Sequence, residues 1–166
     1  MEKVTLIGHS WGAWLVAIFA EKYPEVEKEI ILVGSGPLED KYVSEIDSRR
    51  VGNLSGEELA LYKRLINNQV TDEDMKKIPA MFEKSDNYCL EDRESHRADK
   101  SDSEMHNLVW SEAAKLRTEG KLLEVFQKID SKIYLIQGHN DPHPAKGVMI
   151  PLQENNVSCE AYVLSK

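Results

Sequence analysis

The chain contains no run of about 18 consecutive apolar residues, so it offers no segment that could cross a membrane as a helix. Its first residues lack the basic patch, apolar stretch and small-residue cleavage site of a secretory leader. Cysteine is almost missing, with Cys89 and Cys159 the two in 166 residues. Two isolated cysteines make no disulfide framework and read as free thiols in a reducing compartment. Positive charge is outnumbered as well, 21 Lys and Arg against 29 Asp and Glu. A net charge of −8 and a pI near 5.2 argue against a surface for nucleic acid or an anionic membrane. The expected location is the cytoplasm, with a small molecule as partner, no nucleic acid and no membrane. What is present, 41% hydrophobic residues at a mean hydropathy of −0.48, suits a soluble globular chain with a single core.

Three zones follow one another. In residues 1–37, Val4-Thr5-Leu6-Ile7 and Ile30-Ile31-Leu32-Val33 are short β-branched runs ended by Gly8 and Gly34. Continuous apolar runs of this length are expected to be strands buried on both faces of a parallel sheet. Between them, Trp11 to Tyr23 carries Leu15, Ile18 and Phe19 at helical spacing and meets Pro24, a helix stop. Strand, helix and strand in about 30 residues form a right-handed βαβ unit. Residues 38–128 are charged and poor in β-branched runs. Ser55-Gly56-Glu57-Glu58 has capping-box spacing ahead of Leu59, Leu61, Tyr62, Leu65 and Ile66. Thr71 precedes Asp72-Glu73-Asp74 and then Met75, Ile78 and Phe82, a second helix start. A third helix is expected from Ser103 through Leu116 to Gly120, and Ser85 to Asp102 reads as a charged loop. Residues 129–166 return to the first pattern, after a helical stretch at Leu122–Lys128. Ile133-Tyr134-Leu135-Ile136 is a strand ended by Gly138, Pro151–Asn155 lies in a helix, and Cys159–Leu164 is a last strand. The expected architecture is sheet and helices, a helical insertion of about 90 residues, then sheet again.

Gly8-His9-Ser10-Trp11-Gly12 matches G-x-S-x-G and sits after a strand and before a helix, where that motif functions. A sharp strand-to-helix turn lifts the Ser10 hydroxyl above the sheet edge. Such a turn strains the serine backbone and crowds its neighbours, so glycine is expected at both 8 and 12 to relieve the clash. The turn also leaves the Trp11 N–H free at a helix N-terminus, aimed at developing negative charge. His9 neighbours Ser10 in the turn and is expected to pack rather than act as its base.

With these residues the chain resembles the α/β-hydrolase superfamily. Val4 to Pro37, including Gly34-Ser35-Gly36-Pro37, resembles that family's fifth strand, following helix and sixth strand. The insertion resembles the helical cap of proline-iminopeptidase-like members. Lys132 to Pro144, with Gly138-His139-Asn140-Asp141-Pro142, resembles strand seven and the acid turn, and Cys159 to Leu164 resembles strand eight. The resemblance implies a partial α/β-hydrolase fold: a parallel sheet of strands five to eight, with helices and an inserted cap. It makes Ser10 the nucleophile and Asp141 the acid that orients a histidine, in the family's chain order. Asp40 or Glu39, just after the second strand, is an alternative acid. Trp11 would supply the oxyanion-hole N–H and could line the substrate pocket. Trp14 is expected to pack its helix. Tyr62, Met81, Phe82, Tyr88 and Trp110 suit core packing or the underside of the cap. No cofactor is implied. A metal site at His139, Asp141 and His143 is disfavoured because Pro142 breaks the helix such a spacing needs.

The family histidine follows strand eight, and the sequence shows no histidine after His143. His143 is two residues from Asp141 on the same turn and is not expected to reach between Asp141 and Ser10. The expectation is therefore a small-molecule ester or amide hydrolase by family, inactive as this chain alone, with the Val4–Ile7 strand edge open for self-association or for a complementary N-terminal piece. A non-catalytic remnant acting by binding or assembly is the alternative, and a non-hydrolytic relative such as a lyase or cofactor-free haloperoxidase is a third possibility.

Overall fold

The computed structural model describes residues 2–67, 69–87 and 103–165. Four strands, β1 (Val4–His9), β2 (Glu27–Val33), β3 (Lys132–Gly138) and β4 (Cys159–Leu164), form one parallel sheet in the order β1-β2-β3-β4. Helix α1 (Trp11–Lys22) joins β1 to β2, and α7 (Lys146–Glu154) joins β3 to β4. Between β2 and β3 come a 3₁₀ turn at Asp40–Tyr42 and helices α2 (Val43–Asn53), α3 (Gly56–Ile66), α4 (Asp72–Asp86), α5 (Ser103–Thr118) and α6 (Lys121–Gln127).

The strand order decides what is buried. The strands advance in one direction, and right-handed crossovers, the rule for parallel strands, then stack every connection on the same face. There Ile30, Leu32, Ile133 and Leu135 meet Ala13, Trp14 and Ala17 of α1, Leu122 and Phe126 of α6, and Val148 and Leu152 of α7. The opposite face carries Ile7, Ile31, Tyr134, Ile136 and Tyr162, neighbours in register. No helix of the described residues covers it, and Ile7 is 65% exposed. The expectation of strands buried on both faces therefore fails for this chain. An apolar run records that both faces avoid water, but topology decides which of them finds a cover. The outer edge of β1 also pairs with no strand among the described residues, and Val4 on it is exposed.

The insertion builds a small second core from Leu54, Leu61, Tyr62 and Met81, against which Leu59, Leu65, Val70, Ile78 and Phe82 pack. Both expected helix starts are real: Glu58 reaches back to the Ser55 N–H at 3.4 Å, and Thr71 and Asp74 exchange bonds of 3.2 Å. Helix α2 was not legible as a separate element, its single buried residue being Ile46. Helix α6 packs on α1, and its Leu122 and Phe126 share the main core. Tyr88, Cys89 and most of the expected 85–102 loop lie outside the described residues. Burial pushes the Cys159 thiol up to about 11, well away from a reactive thiolate at neutral pH.

Asp74 joins α4 to α3 through paired bonds from Arg64 of 3.0 and 2.6 Å. Arg64 first, and the Thr71 N–H next, bring its carboxyl down from 3.8 to about 2. A lowered folded-state value contributes stability that is present above 3.8 and lost as pH falls through about 2. Thermal melts between these pH values should show a falling midpoint with a shallower slope in Asp74→Asn; an unchanged slope would show that the pair contributes nothing.

Candidate active site

Ser10 stands at the junction of β1 and α1 with φ 55° and ψ −123°, a left-handed conformation that non-glycine residues rarely adopt and that costs on the order of 1–3 kcal/mol. Its N–H is tied to Val33 O at 2.9 Å and its carbonyl accepts from Ala13 N at 3.0 Å, which closes the bend from both sides. A Cβ on Gly8 would lie 2.2 Å from Gly12 O and 2.7 Å from Ala13 N, so residue 8 must be glycine. At Gly12 an added Cβ meets nothing within 4 Å. Crowding thus explains the first glycine and not the second, because it is the backbone of residue 12, not its side-chain direction, that approaches residue 8. The Trp11 N–H has no acceptor among the described residues and points from the first turn of α1, the positive end of the helix.

Ser10 lines a cavity of about 220 Å³ together with Trp11, Trp14, Pro37, Ile46 and Trp110. Trp14 is buried, donates to Gly36 O at 3.2 Å and stacks on Trp110 with centroids 6.4 Å apart. It therefore packs its helix, as expected, and also walls the cavity. Trp110 belongs to this wall, while Tyr62, Met81 and Phe82 belong to the second core.

Asp141 sits in the turn after β3. Its Oδ1 accepts from the His143 N–H at 2.8 Å and lies 3.1 Å from His143 Nδ1. Its Oδ2 has no hydrogen bond among the described residues and lies on the Gly34 side, where an added Cβ would come within 3.3 Å of it and 3.4 Å of His9 Nε2. With φ 53° and this close approach, residue 34 is confined to glycine. His143 reaches the same cavity as Ser10, an arrangement its sequence position concealed, yet no histidine is hydrogen-bonded to Ser10 Oγ among the described residues.

Two residues that sequence reasoning passed over hold the acid turn. Arg49 of α2 donates to the Asp141 carbonyl at 2.7 Å and the His139 carbonyl at 3.3 Å while pairing with Glu45 at 2.9 Å. Lys146 first, and then Arg49, hold the Glu45 carboxyl below its usual value. Gln137, buried in β3, donates to His143 O at 2.8 Å. A polar side chain pointing inward from an apolar strand was the available signal for Gln137; Arg49 carried none, since charge on a helix is ordinarily solvated. The alternative acids are otherwise engaged. Asp40 accepts from Arg117 at 2.6 Å and Thr118 at 2.8 Å, and Glu39 pairs with Lys41 at 2.7 Å. No group of three or more His, Cys, Asp or Glu among the described residues is placed to hold a metal ion, and no described helix is long and apolar enough to cross a membrane.

A one-way parallel sheet, a strained serine at its first strand-to-helix bend and an acid turn after the third strand define the class. Residues 1–145 match the family model of the α/β-hydrolase fold, and the chain belongs to that family, here as a partial fold. Among solved structures it is similar to proline iminopeptidase of Mycobacterium smegmatis at 16% identity and TM-score 0.59, covering 99% of this chain and 57% of that one. It is similar also to VinJ (15%, TM-score 0.58, 98% and 57%) and to the thioesterase domain from the curacin biosynthetic pathway (17%, TM-score 0.52, 99% and 60%). At these identities the likeness is one of fold. The chain spans somewhat more than half the length of these structures. No curated protein matches the chain.

The two glycines of the bend should part company. Gly8→Ala is expected to destabilise by about 1–3 kcal/mol or more, since backbone must move, whereas Gly12→Ala should be neutral or add up to about 1 kcal/mol through helix propensity. Urea melts of both variants decide it; equal effects would count against the close approach at Gly8.

Proposed function

We propose that the chain carries the nucleophile-bearing part of a serine hydrolase, acting on ester or amide bonds of a small molecule through an acyl-enzyme on Ser10. The observation that carries this reading is the strained serine at the cavity, since a φ of 55° on a non-glycine residue is retained where it serves a purpose. In this reading Ser10 Oγ attacks the substrate carbonyl and the Trp11 N–H donates to the oxyanion that forms. The free Oδ2 of Asp141 is the acceptor that would orient an imidazole between acid and serine. The Trp11 side chain and the cavity wall would hold the substrate under the inserted helices, which act as a cap. The family membership supports a hydrolase in general. The particular bond is our assignment.

Without a base hydrogen-bonded to Ser10 Oγ, the chain by itself should turn over p-nitrophenyl esters little or not at all. Added imidazole, entering beside Asp141, should promote fluorophosphonate labelling at Ser10, and Ser10→Ala should remove the label. Labelling mapped by mass spectrometry to another residue, or persisting in Ser10→Ala, would refute the nucleophile assignment; brisk ester turnover without imidazole would refute the inactivity.

The second reading, a chain acting by binding or assembly rather than catalysis, is favoured by the open β1 edge beside an uncovered apolar sheet face. On that observation we propose that, alone in solution, copies of the chain associate through β1. Sedimentation should show species larger than a monomer that diminish in Ile7→Lys; a monodisperse monomer would exclude this association.

A further inference from the structure

The cavity beside Ser10 is walled mainly by apolar groups, but Asp47, Arg50 and Arg117 also reach it. Two of these side chains are already bonded, Arg50 to an opposite charge and Asp47 to a neutral hydroxyl that leaves its carboxylate charge in place. Asp47 accepts the Tyr62 hydroxyl at 2.6 Å, and Arg50 is bound bidentately by Asp86 at 2.8 and 2.6 Å. Arg117 differs. Its side chain is 11% exposed and its Nε donates to Asp40 at 2.6 Å. Its two terminal nitrogens have no hydrogen-bond partner among the described residues. These nitrogens are left to water or to an acceptor that enters the cavity, and an ionised acceptor would make the stronger, charge-assisted bonds.

Its orientation is fixed from two sides. Asp40 grips Nε, and the Arg117 hydrogen bond is the largest cause of the lowered Asp40 carboxyl, so the pair stays ionised. Thr118 holds the second Asp40 oxygen at 2.8 Å, and the Trp14 ring lies under the guanidinium at 5.5 Å. What remains presented is a planar pair of N–H donors, the geometry that matches a carboxylate in bidentate fashion. Between Ser10 and these donors lies apolar wall in a volume of about 220 Å³, which suits a short aliphatic spacer.

We propose that Arg117 is the substrate-anchoring residue of this cavity and that the substrate is a short acyl compound bearing a carboxylate at the end remote from the bond attacked. The proposal rests on the Ser10 reading for the identity of that bond, and on Arg117 alone for the anion. Its charge partner Asp40 makes the pair formally neutral, so recognition comes from donor geometry rather than from net charge.

All three tryptophans of the chain, Trp11, Trp14 and Trp110, line this cavity, so fluorescence excited selectively at tryptophan reports on it. The 166-residue chain is titrated with monomethyl glutarate, which has one ester and one carboxylate, and with dimethyl glutarate, which has two esters. Monomethyl glutarate should give a saturable change and bind at least about tenfold more tightly than the diester, equivalent to about 1.4 kcal/mol. That preference should vanish in Arg117→Gln and return in part in Arg117→Lys. Equal affinities for the two compounds, no saturable change with either, or an undiminished preference in a folded Arg117→Gln would overturn the proposal. If Arg117→Gln fails to fold by circular dichroism, the comparison of the two compounds on the unaltered chain and on Arg117→Lys still decides. Binding is read without turnover, so failure of Ser10 labelling and failure of anion recognition are separately visible.

Discussion

The structure depends on one close approach: the α-carbon of Gly8 against the carbonyl of Gly12. It allows the chain to leave β1 and enter α1 with no intervening loop, and it forces the single residue at the apex, Ser10, into left-handed backbone. The same bend lays α1 back across the sheet, so that Ala13, Trp14 and Ala17 seal Ile30 and Leu32. Backbone strain at one residue and burial of a whole helix are thus two consequences of one contact. The burial offsets the strain.

The candidate site is assembled from parts far apart in the chain, and the cohesion between them is polar. Arg49 of the insertion grips the main-chain carbonyls of the acid turn, Gln137 grips the same turn from within the sheet, and Lys146 closes on Glu45 at 2.7 Å. The inserted helices are therefore tied to the sheet layer, because one of them helps to hold the backbone around Asp141. Both arginines at the cavity are paired, Arg50 with Asp86 and Arg117 with Asp40. Pairing lets charged side chains stand beside an apolar pocket at tolerable desolvation cost. The pair with an unused donor edge is the one able to do something further.

Much of this was legible in residues alone. The four strands, the helix after Ser10, both capped helices of the insertion and the exact span of the last strand follow from local patterns: β-branched runs, glycine stops, and Ser55 and Thr71 each followed at the third position by an acid. Less was legible where a residue's role comes from a distant partner. Helix α2 is weakly apolar and is held by Arg49 and Arg50, whose partners lie up to 92 positions away. The cover of the sheet was misread because apolar runs say nothing of how many helices will stack on each side.

Local sequence, then, determined the bend at Ser10, the strands around it and the presence of an acid turn, since each is set by the stereochemistry of a few adjacent residues. Tertiary structure alone decided that His143 and Arg117 share a cavity with Ser10, that Gly12 has room for a side chain, and that no helix of the described residues covers one sheet face. These are consequences of crossover handedness and of long-range contact, and neither is written in any short stretch of chain.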